Sequence, residues 1–371
     1  MKMSVSCFFS ILFFVGGLFG CGTVFAENIR VVNRVKNKSS YQFLLFGGAY
    51  FDDAEFHIYH SDYNNPDLKT DRVYRAEMTR ATNMWRKLMP QMIQAARNKI
   101  TPKTAFVIQT GNLIQGDCGN PKTHVKMIRD ALSYFKKNLD NLPVLTTVGE
   151  NDIRGTDAKN TYYKTMSEFM GEELGLNLQS MNFYFKYGRD LYLVVDYNHA
   201  YRSFVTTVLQ KFPYARYKFI IVHEPVLPSD CENCMEFLYN KYKYKRQEMR
   251  NAFLGSNVIV LSGHTHKLEF TKCSTALGSI SQININSMRI NTNLDKPNVL
   301  FTKAKDYGLL QRTKYHNKNG VKLFLDYRDY ISEYYSADAA GYFVLNVSDD
   351  GVTADFYGGN IPEKTASFKL R

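Results

Sequence analysis

The chain has 371 residues, 44% of them hydrophobic and 22% charged, with a formal net charge of +12. Internal repeats and low-complexity tracts are absent, so the length predicts a single large α/β domain, or one domain with a small appendage. The basic excess is spread along the chain. No reader motif accompanies it, so nucleic acid is not an expected partner, and the local run Lys241-Tyr242-Lys243-Tyr244-Lys245-Arg246 reads as one solvated helix face.

At the amino terminus an apolar stretch from Val5 to Phe25 is too short and too rich in glycine for a comfortable membrane span, and reads as an export signal. Cleavage is expected ahead of Glu27, after Val24-Phe25-Ala26, which leaves about 345 residues. The protein is therefore expected to be exported, periplasmic or secreted. A rival reading is a loose lipobox, Leu18-Phe19-Gly20-Cys21, and contact with a membrane is expected only if Cys21 is lipidated. Four cysteines then remain, Cys118, Cys231, Cys234 and Cys273, which allow three pairings. Cys231-Glu232-Asn233-Cys234 suits a loop disulfide better than a redox pair or half a zinc site, and Cys118 with Cys273 is the remaining candidate bridge.

Along the chain, Gln42 to Phe46 predicts a buried strand closed by Gly47-Gly48. Asp52 to Lys69 is polar and irregular. Met78 to Asn98 has helical spacing, with Trp85, Leu88, Met92 and Ala95 on one side and a kink or restart at Pro90. Ala105 to Gln109 is a second strand, Lys122 to Leu139 a second helix, and Pro143 to Val148 a third strand. Phe183 to Tyr187 and Leu191 to Asp196 flank Gly188-Arg189-Asp190 as a hairpin. Gly155 to Gln179 reads as a loop. Tyr217 to Val222 feeds His223, and Asn257 to Ser262 feeds Gly263. Beyond Cys273 the strand signals are weak until a hairpin, Tyr342 to Val347 and Val352 to Tyr357, whose Asp350-Gly351 supplies positive φ for a tight turn.

The polar signatures Thr110-Gly111-Asn112-Leu113, Gly149-Glu150-Asn151-Asp152, His223-Glu224-Pro225 and Gly263-His264-Thr265-His266 each follow an apolar strand, so their side chains converge at one sheet edge. Two imidazoles one residue apart meet one cation only where the backbone turns sharply, a turn that Gly263 permits.

In order and spacing these blocks resemble the calcineurin-like metallophosphoesterases. The resemblance covers roughly residues 43 to 270. It implies a four-layer α/β/β/α metallophosphoesterase sandwich with a C-terminal β-hairpin addition, the core spanning about 41–273 and the extension 274–371. It also implies two metal ions, with His264 serving the second and His266 the first. Several ligands differ from the family pattern. Asn112 stands where a bridging carboxylate is expected, Glu150 where an amide ligand is, and Asn151, which cannot donate a proton as an acid, where a histidine is. The first block falls on Gly47 to Tyr50 with neither ligand kept, and Asp52, Asp53 and His57 lie close by as substitutes only if the loop rearranges.

The charge inventory follows. Two divalent ions would bring four positive charges against one sure carboxylate, Glu150, and burying uncompensated charge costs several kcal/mol per ion. One divalent ion (Zn, Mn or Fe) is therefore expected at His223, His264 and Glu150 with Asn112 in reach and His266 left over. A second is not expected. Tyr50 and Asn151 are the candidate substrate contacts, Asp152 the residue that fixes the loop, and a phosphorylated small molecule or other anion the expected ligand. Two functions remain open: hydrolysis of a phosphate mono- or diester, or non-catalytic binding of an anionic ligand or a protein partner.

Overall fold

A computed structural model describes residues 35–57, 68–199, 201–229, 243–287 and 326–371. The expected apolar runs form strands: β1 (Tyr41–Phe46), β2 (Thr104–Gln109), β3 (Val144–Thr146), β4 (Phe183–Tyr187), β5 (Asp190–Val195), β6 (Lys218–Val222) and β7 (Ile259–Ser262). Nearly every residue of these strands is buried, because both faces of each are covered, and a strand covered twice reads as a continuous apolar run and not as an alternating one. Then follow β8 (Leu268–Thr275), β9 (Gly278–Asn284), β10 (Ile331–Ala337), β11 (Gly341–Ser348), β12 (Gly351–Gly358) and β13 (Ala366–Lys369).

The strands make two sheets, one of six in the order β13-β12-β11-β1-β2-β3 and one of seven in the order β10-β8-β9-β7-β6-β5-β4. In the first, β1, β2 and β3 run parallel, and in the second so do β5, β6, β7 and β9. Parallel neighbours end at the same edge, so the loops after β1, β2 and β3 face those after β6 and β7 across the sandwich. The inter-sheet core is aromatic. Tyr192 lies stacked between Phe185 and Phe219, with centroids at 4.7 and 4.5 Å, and Phe43 sets its edge against Tyr192 and Phe219. Rings of this size dominate the burial energy of a core.

Helices α1 (Leu68–Lys87), α2 (Met89–Arg97), α3 (Pro121–Asn138) and α4 (Ala158–Leu174) belong to the first sheet's side, while α5 (Tyr201–Lys211) and α6 (Lys243–Ser256) cover the second. The result is the four-layer α/β/β/α sandwich. Asn120 caps α3 by accepting from the Thr123 amide, and Pro121 occupies its first turn. The break between α1 and α2 falls at Leu88, with Pro90 in the first turn of α2, where a missing amide costs nothing.

Several expectations are corrected. The segment read as a loop over Gly155 to Gln179 contains α4, whose Tyr162, Met166, Met170 and Leu174 recur every fourth residue on its buried side. Helix α1 begins at Leu68, inside the stretch read as irregular. The terminal hairpin is, as expected, an addition to the same sandwich: β11 pairs with all of β1, which puts it in the middle of the first sheet. Its turn has positive φ on Gly351 alone (145°), where a Cβ would also stand 2.4 Å from the Arg371 carbonyl oxygen. Cys118 and Cys273 are not bridged. Cys118 packs against Met127 and His124 of α3 in the large cluster, and Cys273 in the separate cluster on the outer face of the second sheet. Cys231, Cys234, the export segment, Cys21 and the first residues of the basic run lie outside the described residues. Among the described residues no helix is long and apolar enough to cross a membrane.

Candidate metal centre

Each signature loop is locked to its neighbours by backbone bonds before any site chemistry begins. The Ala49 and Tyr50 amides donate to the Asn112 carbonyl, and the Gly263 amide donates to that of His223. Asp152, fully buried, accepts from the amides of Asn112 (2.8 Å), Gly149 (2.9 Å) and Ile114 (3.1 Å), so it is the clamp that ties the Thr110-Leu113 and Gly149-Asp152 signatures together. Burial pushes its carboxyl up to about 7, against the three amides that favour the anion. Tyr50, Asn112, His264 and His266 have φ of 48°, 54°, 66° and 55°. Left-handed backbone at non-glycine residues costs on the order of 1–3 kcal/mol each and persists where the surroundings over-determine it. Gly263 itself is not left-handed. Its role is close approach, since a Cβ there would meet Thr110 Oγ1 at 2.7 Å, and the sharp turn is made by the two histidines after it.

Glu150, His223 and His264 come together. Glu150 Oε2 stands 2.7 Å from His223 Nε2 and 3.4 Å from His264 Nδ1, and the two imidazole nitrogens are 3.3 Å apart. Among the described residues this is the only group of three or more His, Cys, Asp or Glu side chains placed to hold a metal ion. Donor atoms sharing a tetrahedral ion at about 2.1 Å are about 3.4 Å from one another, which the two longer separations match.

Hydrogen bonding fixes how these groups face. His223 is buried, and its Nδ1–H donates to the Thr110 carbonyl at 2.6 Å, leaving Nε2 turned to Glu150. Glu150 Oε2 is itself enclosed and receives no hydrogen bond. Burial opposes its ionisation, but the His223 and His264 rings outweigh burial and hold the carboxyl well below the usual carboxylate range. A proton or a cation between Glu150 Oε2 and His223 Nε2 satisfies both atoms at 2.7 Å. The residues present therefore fit a divalent cation.

The other sequence candidates lie beside this point but face elsewhere. Asn112 gives its amide oxygen to the Asn151 backbone amide (2.8 Å) and donates through Nδ2 to Glu150 Oε1 (2.9 Å) and the Tyr50 hydroxyl (3.0 Å). It therefore braces Glu150 and does not turn its oxygen to the ion. His266 Nε2 is 2.6 Å from the Tyr50 hydroxyl. Asp52 pairs with His57 and accepts from Thr82, a cluster of its own outside the metal-holding group. Asn151 is buried and its Nδ2 has no hydrogen-bond partner.

Sequence reasoning passed over Glu224 and Tyr197. Glu224, 5% exposed, has one oxygen without a partner and shares a hydrogen bond with Tyr197; burial raises its pKa. Its place directly after His223 was the available signal.

Two facing sheets, helices outside, and every signature loop at one shared edge: this is the four-layer α/β/β/α sandwich expected from the sequence. No protein-family model matches the chain, and no curated protein does. Among solved structures it is similar to GAP50, the anchor in the inner membrane complex of Plasmodium, with 13% identity over 90% of this chain and 89% of that one, at a TM-score of 0.48. It is similar to PhoD with 12% identity, 89% and 68% coverage and a TM-score of 0.48. A purple acid phosphatase from yellow lupin (Lupinus luteus) seeds gives 12% identity and a TM-score of 0.47 over 90% of this chain, which spans 54% of that one.

Proposed function

We propose that the protein is a phosphoesterase that works with a single divalent ion held by Glu150, His223 and His264. What supports this is the observation that a carboxylate oxygen and an imidazole nitrogen stand 2.7 Å apart with a second imidazole nitrogen at 3.4 Å, the one group among the described residues placed to hold a metal ion. A divalent cation supplies Lewis acidity toward a phosphoryl oxygen and makes water a nucleophile near neutral pH.

The chain's own residues do the rest. His223 is oriented by the Thr110 carbonyl and Glu150 by the Asn112 amide, so neither has to reorganise when a ligand arrives. Tyr50 and Asn151 bind and orient the phosphate. The Tyr50 hydroxyl accepts from Asn112 Nδ2 and shares a hydrogen bond with His266 Nε2, which hold the phenol at the site. Asn151 Nδ2 offers a neutral donor. Burial of Asn112, His223 and Asn151 keeps water from screening these bonds. Export, through the amino-terminal apolar segment, completes the proposal.

Asn151 has no acidic proton for a leaving group, which favours a second reading in which the same pocket binds an anion without turnover. Loss of a general acid is worth on the order of 10²- to 10⁴-fold in rate. Metal analysis of the purified protein, with assays on bis(p-nitrophenyl) phosphate and p-nitrophenyl phosphate under Zn²⁺, Mn²⁺ and Fe²⁺, separates the two. Hydrolysis that disappears in Glu150→Gln supports the enzyme. One bound ion with no turnover under any cation replaces it with the binder.

A further inference from the structure

Beside His223, on the side away from His264, the second sheet carries a histidine outside the four signatures. Strands β5 and β6 run parallel with Val195 opposite Val222. Asp196 therefore leaves β5 next to His223, about one strand spacing of 4.8 Å away. The same exit is tied to the Glu150 loop, since Thr147 Oγ1 donates to the Val195 carbonyl at 2.7 Å. Residues 196–199 thus emerge between the loops that bear Glu150 and His223. Tyr197 agrees with this placement: burial raises the pKa of its hydroxyl, and the charges of Glu224, Glu150, Asp196 and Asp152 act on it in the same direction.

Asp196 is buried and fully engaged. Its Oδ2 receives the Tyr163 hydroxyl at 2.7 Å and bonds His199 Nδ1, while its Oδ1 receives the backbone and side-chain amides of Asn198, each at 3.0 Å. With three donors already on it, the carboxylate takes the Nδ1–H of His199, and the Tyr163 ring braces the imidazole edge-on at 4.8 Å. Among the described residues Asp196 and Tyr163 are the titratable groups against this ring, and Lys159 lies behind, its Nζ 6.0 Å from the centre of the Tyr163 ring. Nε2 is left for a ligand, on a side chain 46% exposed. His57 pairs likewise with Asp52, but only 10% of its side chain is exposed. A carboxylate that fixes one ring nitrogen so that the other can hand over a proton is an arrangement suited to acid–base catalysis.

Resting on the phosphoesterase reading, we propose that His199 meets the ester oxygen of the bound phosphate and is the proton donor that Asn151 cannot be. A hydroxide oxygen derived from water bonds to phosphorus as the ester P–O bond breaks. The ester oxygen keeps that bonding pair and takes the Nε2 proton to leave as the alcohol. Nε2 then regains from solvent the proton that the water gave up.

The test uses the full chain loaded with one equivalent of Zn²⁺ and compares phenyl with p-nitrophenyl esters of phosphate, as monoesters and diesters. p-Nitrophenolate is a leaving group that needs no proton. In His199→Gln, kcat for the phenyl ester should fall about 10²- to 10⁴-fold and that for the p-nitrophenyl ester less than about tenfold. The p-nitrophenyl rate also reports that the variant is folded. Equal losses on the two esters, or no loss on either, overturn the proposal. If the native protein hydrolyses neither, the phosphoesterase reading fails and proton donation falls with it, while the contact is read separately by nuclear magnetic resonance. His199 ring resonances that shift to saturation with phenyl phosphate uphold the contact, and unmoved resonances overturn it.

Discussion

The two sides of the site share a loop edge and a hydrogen-bond network, yet they are built for opposite ends. On one side Glu150, His223 and His264 bring three ligand atoms together within reach of one ion. On the other, the Tyr50 hydroxyl satisfies His266 and Asn112 from within the chain. Similar side chains on a similar backbone thus give a place for an ion where donors face each other, and a closed polar contact where a phenol intervenes. Asn112 connects the two, bracing Glu150 with the same amide group that bonds Tyr50.

The sharpest way to break this contrast is His264→Ala. Structural zinc sites gain about 10–16 kcal/mol from their full ligand set, so one imidazole carries roughly 3 kcal/mol. Affinity for the ion should fall about 10²- to 10³-fold, read by calorimetric titration. The matching change on the other side, His266→Ala, should leave ion affinity within about threefold. A loss as large as that of His264→Ala would mean that both sides hold the ion.

A second test reads the scaffold under both sides. His124 is buried, donates from Nε2 to the Asp152 carbonyl at 2.9 Å, and is held neutral by burial, with its pKa lowered to about 4. Because the unfolded chain takes up this proton near pH 6.5 and the folded chain only near 4, stability is full above 6.5, declines as pH falls between the two, and levels off below. The decline should total roughly 3 kcal/mol by urea unfolding, and His124→Gln should flatten it.

Smaller still is Asp152→Asn. It turns one amide donor against three others at the clamp and should cost about 1–3 kcal/mol of stability, with ion affinity lowered only through looser positioning of Glu150. Tyr50→Phe should have the least effect, about 0.5–1.5 kcal/mol, seen in weaker phosphate binding at unchanged ion affinity. A Tyr50→Phe protein that gains a second ion would erase the difference between the sides.

Much of this was legible in the sequence because the same physics governs both. Strands buried on two faces must be apolar throughout, so β1, β2, β6 and β7 announced themselves, and a polar signature after β2, β6 and β7 located one edge. The meeting of Glu150, His223 and His264 followed from that edge and the family resemblance. Helix α4 was missed because its buried residues mix Tyr, Thr and Gly with Met and Leu, so no plain apolar stripe marks it. The contact of Tyr50 with His266 joins residues 216 positions apart. It depends on left-handed backbone at both ends, which no local residue pattern specifies. Gly263 was read as a turn residue, yet it serves as a gap for Thr110, a requirement visible only once two loops from different sheets are set side by side.

The central claim is that one side of this edge holds an ion and the other does not. Calorimetric titration of the metal-stripped protein with Zn²⁺ or Mn²⁺ tests it directly, by counting ions per chain. One ion, lost in Glu150→Gln and kept in His266→Ala, is the predicted result; two ions, or none, would contradict the account.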